Sequence, residues 1–213
     1  QEVEGVNTRA QLAFAERVAR QRRNHALMVE GVTMIDPDTT YVDAFVEVGR
    51  DVTLEPGVRL TGRTRVASGA VIRQGSIIED SQIEEGVVVL PYSHIESSIV
   101  RARAQIGPFS HLRPAADIGP GAKVGNFVEI KKTTLGPGAK ASHLSYLGDA
   151  TIGADCNIGA GTITCNYDGV NKHRTVLGEG VFTGSNSALV APIEIGDRAY
   201  VGAGSTVTEN IEA

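Results

Sequence analysis

An aliphatic residue recurs at about every sixth position through most of this sequence. The series starts at Val42 and steps by six, with an occasional step of five, as far as Val207. Nearly all of its positions are Val, Leu or Ile, and the exceptions are Ala141, Thr164 and Thr183. One longer interval, after Thr164, interrupts the series. A fixed period of this kind is an internal repeat, and an internal repeat decides the fold class.

The period predicts short strands joined at tight corners. In the second half many of the aliphatic residues precede glycine, as at Ile106-Gly107 and Ile118-Gly119, and glycine lets a chain bend sharply. Three such sides form one coil of a hexapeptide-repeat parallel β-helix. The aliphatic side chains then stack as ladders inside a triangular prism. We therefore predict a mainly β fold with coils about 4.8 Å apart, and roughly nine of these coils over residues 31–213.

Residues 8 to about 30 have a different character. They are rich in helix formers, and Asn7 or Thr8 can cap the start of a helix. Leu12, Ala15 and Val18 give this helix one apolar stripe. A polar stretch with Gly and Pro then leads into the repeats. The sequence therefore predicts a linker helix within residues 1–30, followed by the β-helix over residues 31–213.

Composition argues against several other classes of protein. A formal net charge of -5 gives no electrostatic footprint for nucleic acid. The chain has no apolar run long enough to span a membrane, and its first residues lack the pattern of a secretory signal. Cys156 and Cys165 are too few for a disulfide scaffold. We expect free thiols and no nucleic-acid or membrane partner.

The register of the repeat stacks several polar side chains in columns. Arg113 and Lys131 follow the same corner one coil apart, where two cations repel unless an anion joins them. Immediately before that corner comes a column of ionisable or polar groups, namely His94, His111, Glu129 and Tyr146. A third column contains Asn126, His143 and Ala160. We expect Glu129, His143, Tyr146 and Asn157 to share one face of the prism.

A base, a carboxylate and two cations on one face suit a phosphorylated substrate that must lose a proton. Each residue also has an ordinary structural interpretation. A histidine can simply lie on the surface, stacked Arg and Lys can solubilise a face, and Asn tolerates strained corners. Residues 165–174 can be simply an inserted turn without a role in a site. Geometry alone leaves both interpretations open.

Four segments resemble one family closely. They are Gly-Pro-Phe-Ser-His-Leu-Arg-Pro at 107–114, Val-Gly-Asn-Phe-Val-Glu-Ile-Lys-Lys at 124–132, Lys-Ala-Ser-His-Leu-Ser-Tyr-Leu-Gly-Asp-Ala at 140–150, and Asn-Ile-Gly-Ala-Gly-Thr-Ile-Thr-Cys-Asn-Tyr-Asp-Gly-Val-Asn-Lys at 157–172. Together they resemble the bacterial bifunctional enzymes that acetylate glucosamine-1-phosphate and then uridylate the product. The resemblance extends over essentially the whole chain, including Glu-Gly-Val-Asn at 4–7.

The resemblance implies acetyl transfer from acetyl-CoA to the amine of glucosamine-1-phosphate, in cytoplasmic synthesis of UDP-N-acetylglucosamine for cell-wall polymers. His143 matches the family's general base, and Glu129 is our candidate to orient its imidazole. The family's sugar-phosphate contacts match Arg113, Lys131, Tyr146, Asn157 and Lys172. Its acetyl-CoA contacts match Ala160, Asn166, Tyr167, Ser185 and Ala203. We expect Ser185 or its backbone N–H to stabilise an oxyanion.

The resemblance also implies a left-handed β-helix and a homotrimer whose sites lie between adjacent prisms. It further implies that the sequence is a piece of a longer protein. We expect the uridyltransferase domain to precede it and a tail that contacts the cofactor to follow Ala213. Asn7 matches a magnesium ligand of that domain, and we expect it to bind Mg²⁺ poorly without its partners.

Three alternatives remain from the sequence. Other hexapeptide acyltransferases use the same prism and a histidine base, although the segments at 124–172 argue against them. A zinc carbonic anhydrase on this fold needs three histidines at one metal. Here His94 and His111 can stack, but His143 belongs to another column. The prism can also be a non-catalytic trimerisation scaffold, an interpretation that the convergent polar face disfavours.

Overall fold

The N-terminal part of the chain is a single helix. The computed structural model describes residues 5–213, so the start of the predicted segment 1–30, residues 1–4, lies outside the described residues. Helix α1 spans Arg9–Val29, as predicted. Thr8 caps it, because Thr8 Oγ1 accepts from the Gln11 N–H at 3.2 Å and Gln11 Oε1 accepts from the Thr8 N–H at 2.9 Å. Within residues 5–213, no helix is long and apolar enough to cross a membrane.

The helix packs on the prism through its C-terminal end, and the apolar stripe is not its packing surface. Leu12 is 48% exposed, whereas the buried residues of the helix are Asn24 and Leu27. The Asn24 side-chain amide donates to the carbonyl oxygens of Pro37 and Thr40 at 2.8 and 2.9 Å. These two bonds satisfy the buried amide donor and attach the helix to the first coil.

The prism has three parallel sheets, and the chain passes from one to the next at each corner. Sheet A consists of β1 (Thr33–Met34), β4 (Thr53–Leu54), β7 (Val71–Ile72), β10 (Val88–Val89), β13 (Gln105–Ile106), β16 (Lys123–Asn126), β19 (Lys140–His143), β22 (Asn157–Ile158), β25 (Phe182–Thr183) and β28 (Tyr200–Val201). Sheet B consists of β2 (Tyr41–Val42), β5 (Arg59–Thr61), β8 (Ile77–Glu79), β11 (His94–Glu96), β14 (His111–Leu112), β17 (Glu129–Lys131), β20 (Tyr146–Gly148), β23 (Ile163–Cys165), β26 (Ala188–Val190) and β29 (Thr206–Val207). Sheet C consists of β3 (Glu47–Val48), β6 (Arg65–Val66), β9 (Gln82–Ile83), β12 (Ile99–Val100), β15 (Asp117–Ile118), β18 (Thr134–Leu135), β21 (Ala150–Ile152), β24 (Thr175–Leu177) and β27 (Ile193–Ile195).

The predicted hexapeptide-repeat parallel β-helix preceded by a helix is confirmed. Sheets A and B each contain 10 strands and sheet C contains 9, so there are about ten coils rather than the expected nine. The aliphatic ladders lie inside as expected. Leu112, Ile130 and Leu147 occupy equivalent positions of successive coils, and each is fully buried. Burial of such ladders is the main source of stability in this fold.

The glycines that follow core residues serve close packing more than sharp bending. Gly107 does take a positive φ of 97°. Gly119 and Gly125, by contrast, have ordinary backbone angles. A Cβ at Gly119 would lie 2.6 Å from the carbonyl carbon of Gly136, and one at Gly125 would overlap the backbone of Ser142. Glycine is required there because the next coil passes directly against it.

Candidate active site

One column of residues follows the corner between sheets A and B. Asn126 at the end of β16 is the register partner of His143 at the end of β19. The same register continues through the coils above to Ala160, Ser185 and Ala203. The predicted column Asn126–His143–Ala160 is therefore present, and it extends to two more of the residues predicted to contact acetyl-CoA. We call these five residues the histidine column.

The imidazole of His143 is oriented by Asn126. His143 Nδ1 lies 2.7 Å from Asn126 Oδ1. A carboxamide oxygen only accepts hydrogen bonds, so Nδ1 carries the proton and Nε2 of the neutral ring presents its lone pair. The His143 side chain is exposed, and Nε2 makes no hydrogen bond within residues 5–213. This tautomer suits a general base that acts through Nε2.

Glu129 was predicted to orient the imidazole, and the structure gives that contact to Asn126 instead. The Glu129 carboxylate accepts from Arg113 Nη1 at 2.8 Å. This bond raises the pKa of the Arg113 guanidinium. The sequence placed Asn126 in the correct column but gave it no role. The signal was its spacing, since Asn126 precedes His143 by 17 residues, the length of one coil.

The predicted ionisable column on sheet B is also present. His94, His111, Glu129 and Tyr146 are successive register partners. The His94 and His111 rings stack with centroids 5.0 Å apart. Burial and the neighbouring His94 lower the pKa of His111. Across the described part of the chain, no group of three or more His, Cys, Asp or Glu side chains could hold a metal ion. The zinc alternative therefore lacks a ligand set there.

Lys131 and Lys172 form a cationic pair next to Arg113. Lys131 follows the same corner as Arg113, one coil higher. Lys172 comes from the predicted insertion, where an antiparallel bridge between Tyr167 and Lys172 folds the segment between β23 and β24. Lys172 and Arg113 lower the pKa of Lys131, while Asp149 opposes the shift. Three cations in this arrangement favour an anionic ligand.

The insertion is held by its own hydrogen bonds. The Asp168 carboxylate accepts from the backbone N–H groups of Val170 and Asn171 at 2.8 and 2.6 Å. It also lies 2.6 Å from His173 Nε2. These contacts lower the pKa of Asp168 to about 2. Asp168 and His173 were not predicted, because nothing in the repeat register describes an insertion.

Two residues predicted to contact acetyl-CoA lie in or beside this insertion. Asn166 is buried, and its Nδ2 donates to Asp149 Oδ2 at 2.5 Å. The exposed Tyr167 donates its hydroxyl to the Gly169 carbonyl at 2.6 Å. Asn166 therefore connects the insertion to the prism, and only Tyr167 presents a free surface.

Asn157 does not share the face of Glu129 and Tyr146, which corrects our expectation. It lies on the outer surface of sheet A, where its register partners are Lys140 and Phe182. Glu129 and Tyr146 belong to sheet B, and His143 stands at the corner between the two sheets. Within one prism, the predicted site residues are therefore divided between two faces.

Asn7, the predicted remnant of a magnesium site, is exposed and precedes the helix cap. Its backbone N–H donates to Gln11 Oε1 at 2.9 Å. With no metal-binding cluster in residues 5–213, the residues present do not fit a Mg²⁺ site.

The chain is similar in sequence to known proteins. A family model described as bacterial transferase hexapeptide (six repeats) matches residues 174–209. The chain is 50% identical over 210 residues to the bifunctional protein GlmU of Synechococcus sp. (strain RCC307), covering 99% of this chain and 46% of that protein. It is 58% identical over 194 residues to the same-named protein of Anaeromyxobacter sp. (strain Fw109-5), covering 91% of this chain and 40% of that protein. The chain thus spans about half the length of the curated relatives it matches.

Proposed function

Because this chain is a homologue of the bifunctional GlmU proteins along essentially its whole length, we propose that it transfers the acetyl group of acetyl-CoA to the amine of glucosamine-1-phosphate. The product is N-acetylglucosamine-1-phosphate, an intermediate in cytoplasmic UDP-N-acetylglucosamine synthesis. The observation that carries the proposal is the hydrogen bond between His143 and Asn126, which prepares a base in the histidine column.

His143 acts as the general base. Only an unprotonated amine has a lone pair for attack on a thioester, and its nitrogen must lose a proton as the new bond forms. Nε2 of His143 accepts that proton while the amine nitrogen bonds to the thioester carbonyl carbon. The carbonyl π electrons then reside on oxygen. When the C=O bond reforms, the C–S bond breaks, and the departing thiolate takes the proton from the imidazolium. The products are the amide, CoA as its thiol and neutral His143.

Arg113, Lys131 and Lys172 hold the phosphate. The repulsion that lowers the pKa of Lys131 is relieved when a phosphate lies between the two ammonium groups. The Glu129 carboxylate holds Arg113 Nη1 at 2.8 Å. The other N–H donors of the Arg113 guanidinium are left for the ligand. Tyr146 lies between this cationic cluster and His143, so it borders the sugar.

Acetyl-CoA follows the upper part of the histidine column. Ala160, Ser185 and Ala203 stack above His143, and small side chains let an extended pantetheine chain approach the backbone. Neither the backbone N–H nor the hydroxyl of Ser185 makes a hydrogen bond within residues 5–213. Both donors lie two coils from His143, and either suits the stabilisation of the tetrahedral oxyanion. Tyr167 completes this side of the site, with Asn166 keeping the insertion in place.

The active assembly is a homotrimer with each site between two prisms. Asn157 lies on sheet A, so it meets the sheet B residues only when a second prism supplies it. An exposed aromatic ladder supports the same assembly. Tyr92, Phe109 and Phe127 stack with centroids 5.5 Å apart and are 50%, 48% and 56% exposed. A ladder of this kind is an interaction surface more often than a free one.

The test is CoA release from acetyl-CoA and glucosamine-1-phosphate, followed with a thiol reagent. His143→Ala is expected to lower kcat by about 10²- to 10⁴-fold, and the control His25→Ala, on the exposed face of α1, to change nothing. Sedimentation of both variants should give the mass of a trimer. Turnover unchanged in His143→Ala would reject the proposed base. If neither the parent nor the control releases CoA, the assay is repeated with the tail expected after Ala213 attached. A trimer that is still silent with this tail identifies the prism as a scaffold.

A further inference from the structure

A cleft between α1 and the first coils lies well away from the proposed active site. It has a volume of about 460 Å³ and is lined by Glu16, Arg20 and Arg23 of the helix and by Tyr41, Asp43 and Arg59 of the prism. Arg59 and Tyr146 belong to the same outer column of sheet B, with Ile77, His94, His111 and Glu129 between them. They are therefore about 24 Å apart. Ligand sites in proteins are commonly of this volume.

Three guanidinium groups border this cleft without a carboxylate partner. Among residues 5–213, Arg20, Arg23 and Arg59 form no salt bridge. Elsewhere on the prism, Arg73 and Arg113 each pair with a glutamate one coil away. Such pairing is thus possible on these faces, and the three arginines of the cleft do not have it.

The two carboxylates of the cleft do not neutralise its arginines. Glu16 precedes Arg20 by four residues, the most favourable helical spacing for an ion pair, yet no pair forms. Asp43 Oδ2 instead accepts from the Gly62 backbone N–H at 3.2 Å. The positive charge of the cleft thus remains available to a ligand.

Two of the arginines are fixed in position. Arg20 lies over the Tyr41 ring, 4.2 Å from its centroid, and Arg23 Nη2 donates to the Val46 carbonyl at 2.5 Å. The Nε atoms of both side chains are buried and have no hydrogen-bond partner. Buried N–H donors normally have acceptors, so each of these two Nε–H groups lacks the acceptor that it would ordinarily have.

We propose that this cleft binds a small phosphorylated molecule, with its phosphate held by Arg20, Arg23 and Arg59. A phosphate offers several acceptor oxygens and two negative charges, and guanidinium forks match its geometry. The cleft is larger than one phosphate group, so the organic part of the ligand occupies the rest of it, beside Tyr41. The site is separate from the phosphate cluster of Arg113, Lys131 and Lys172.

The test uses inorganic phosphate as the probe and the arginine Nε–H signals as the readout, in ¹⁵N-labelled chain observed by NMR. Substitutions Arg20→Gln and Arg23→Lys assign the two signals. Phosphate added at constant ionic strength should shift both signals saturably, and chloride should not. Arg59→Gln should raise the dissociation constant at least tenfold, with acetyl transfer unchanged. Lys131→Gln should leave these shifts intact, because it affects only the other phosphate site.

Arg63→Gln is the matched control, because Arg63 is exposed in a turn outside the cleft and its loss changes the net charge equally. It should leave the phosphate affinity of the cleft unchanged. The proposal is overturned if neither Nε–H signal responds to phosphate, if chloride gives the same shifts, or if Arg59→Gln and Arg63→Gln weaken binding equally. Superimposable backbone spectra of the Arg59 variant exclude misfolding as the cause of a loss.

Discussion

Asn126 accepts a hydrogen bond from His143, with Oδ1 2.7 Å from Nδ1. The two residues occupy equivalent corners of successive coils, so the repeat itself sets their separation. The bond fixes the tautomer and the plane of the imidazole together. A hydrogen bond from a neighbouring side chain to one ring nitrogen leaves the other nitrogen of a histidine ready to accept a proton.

Asn126→Ala should therefore lower kcat about fivefold, because loss of one hydrogen bond costs about 1 kcal/mol. KM for both substrates should change little, since Asn126 touches neither in our proposal. Asn126→Asp should move the acid limb of the pH–rate profile to higher pH, because a carboxylate stabilises the imidazolium. Steady-state CoA release across pH measures both effects.

Gln105→Ala is the matched control for Asn126, since Gln105 lies on the outer face of the same sheet one coil below. Gln105→Ala should leave kcat and both KM values unchanged. An unchanged kcat in Asn126→Ala would mean that the observed hydrogen bond does not position the base.

The fold was predictable because the repeat register constrains every coil in the same way. The positions of Leu112, Ile130 and Leu147 follow from counting alone, and so does the pairing of Asn126 with His143. The coil number was underestimated because the counted series starts at Val42 in β2 and so leaves out strand β1.

The details of the site were less predictable, because a register gives columns but not side-chain contacts. Glu129 lies one coil from Arg113 and on the neighbouring coil to His143, and the sequence could not choose between these two residues as its partner. The shared face expected for Asn157 was wrong for a different reason. The count of residues from each corner did not distinguish the two sheets that meet at that corner. Asn157 lies on sheet A, whereas Glu129 and Tyr146 lie on sheet B.

The neighbouring ammonium group of Lys172 lowers the pKa of Lys131. Lys172→Gln should therefore raise the pKa of Lys131 towards its ordinary value, because the largest cause of the shift is removed. The charged form of Lys131 then persists to higher pH. Direct titration of the Lys131 side chain by ¹³C NMR measures the change.

Lys132→Gln serves as the comparison, because Lys132 is the exposed next residue and is not among the groups that shift Lys131. Lys132→Gln should leave the pKa of Lys131 as it is in the parent protein. The same Lys172→Gln variant should raise KM for glucosamine-1-phosphate more than KM for acetyl-CoA. A larger effect on KM for acetyl-CoA would mean that Lys172 does not bind the phosphate of glucosamine-1-phosphate.

Gly125 is required by the distance between coils. A Cβ there would overlap the backbone of Ser142, so Gly125→Ala should destabilise the fold by roughly 1–3 kcal/mol through overpacking. Gly202 also follows a core valine, but a Cβ at this position would meet nothing closer than Ser205 Oγ at 3.7 Å. Gly202→Ala should therefore be nearly neutral. Urea unfolding of the two variants compares them, and equal midpoints would contradict this explanation.

The insertion should loosen in acid through Asp168. Its hydrogen bonds lower the pKa of this carboxyl to about 2, below the usual value of about 3.9 for aspartate. A depressed pKa means that the stabilisation is complete above pH 4 and is lost as the pH falls towards 2. Hydrogen-exchange protection of the Val170 and Asn171 amides, which bond to Asp168, should fall over that window. Asp168→Asn should lower their protection at neutral pH and remove most of its pH dependence. The control Asp51→Asn lies in an exposed turn and should change neither the protection of these amides nor its pH dependence. If the pH dependence survives in Asp168→Asn, a group other than Asp168 causes the loss of protection.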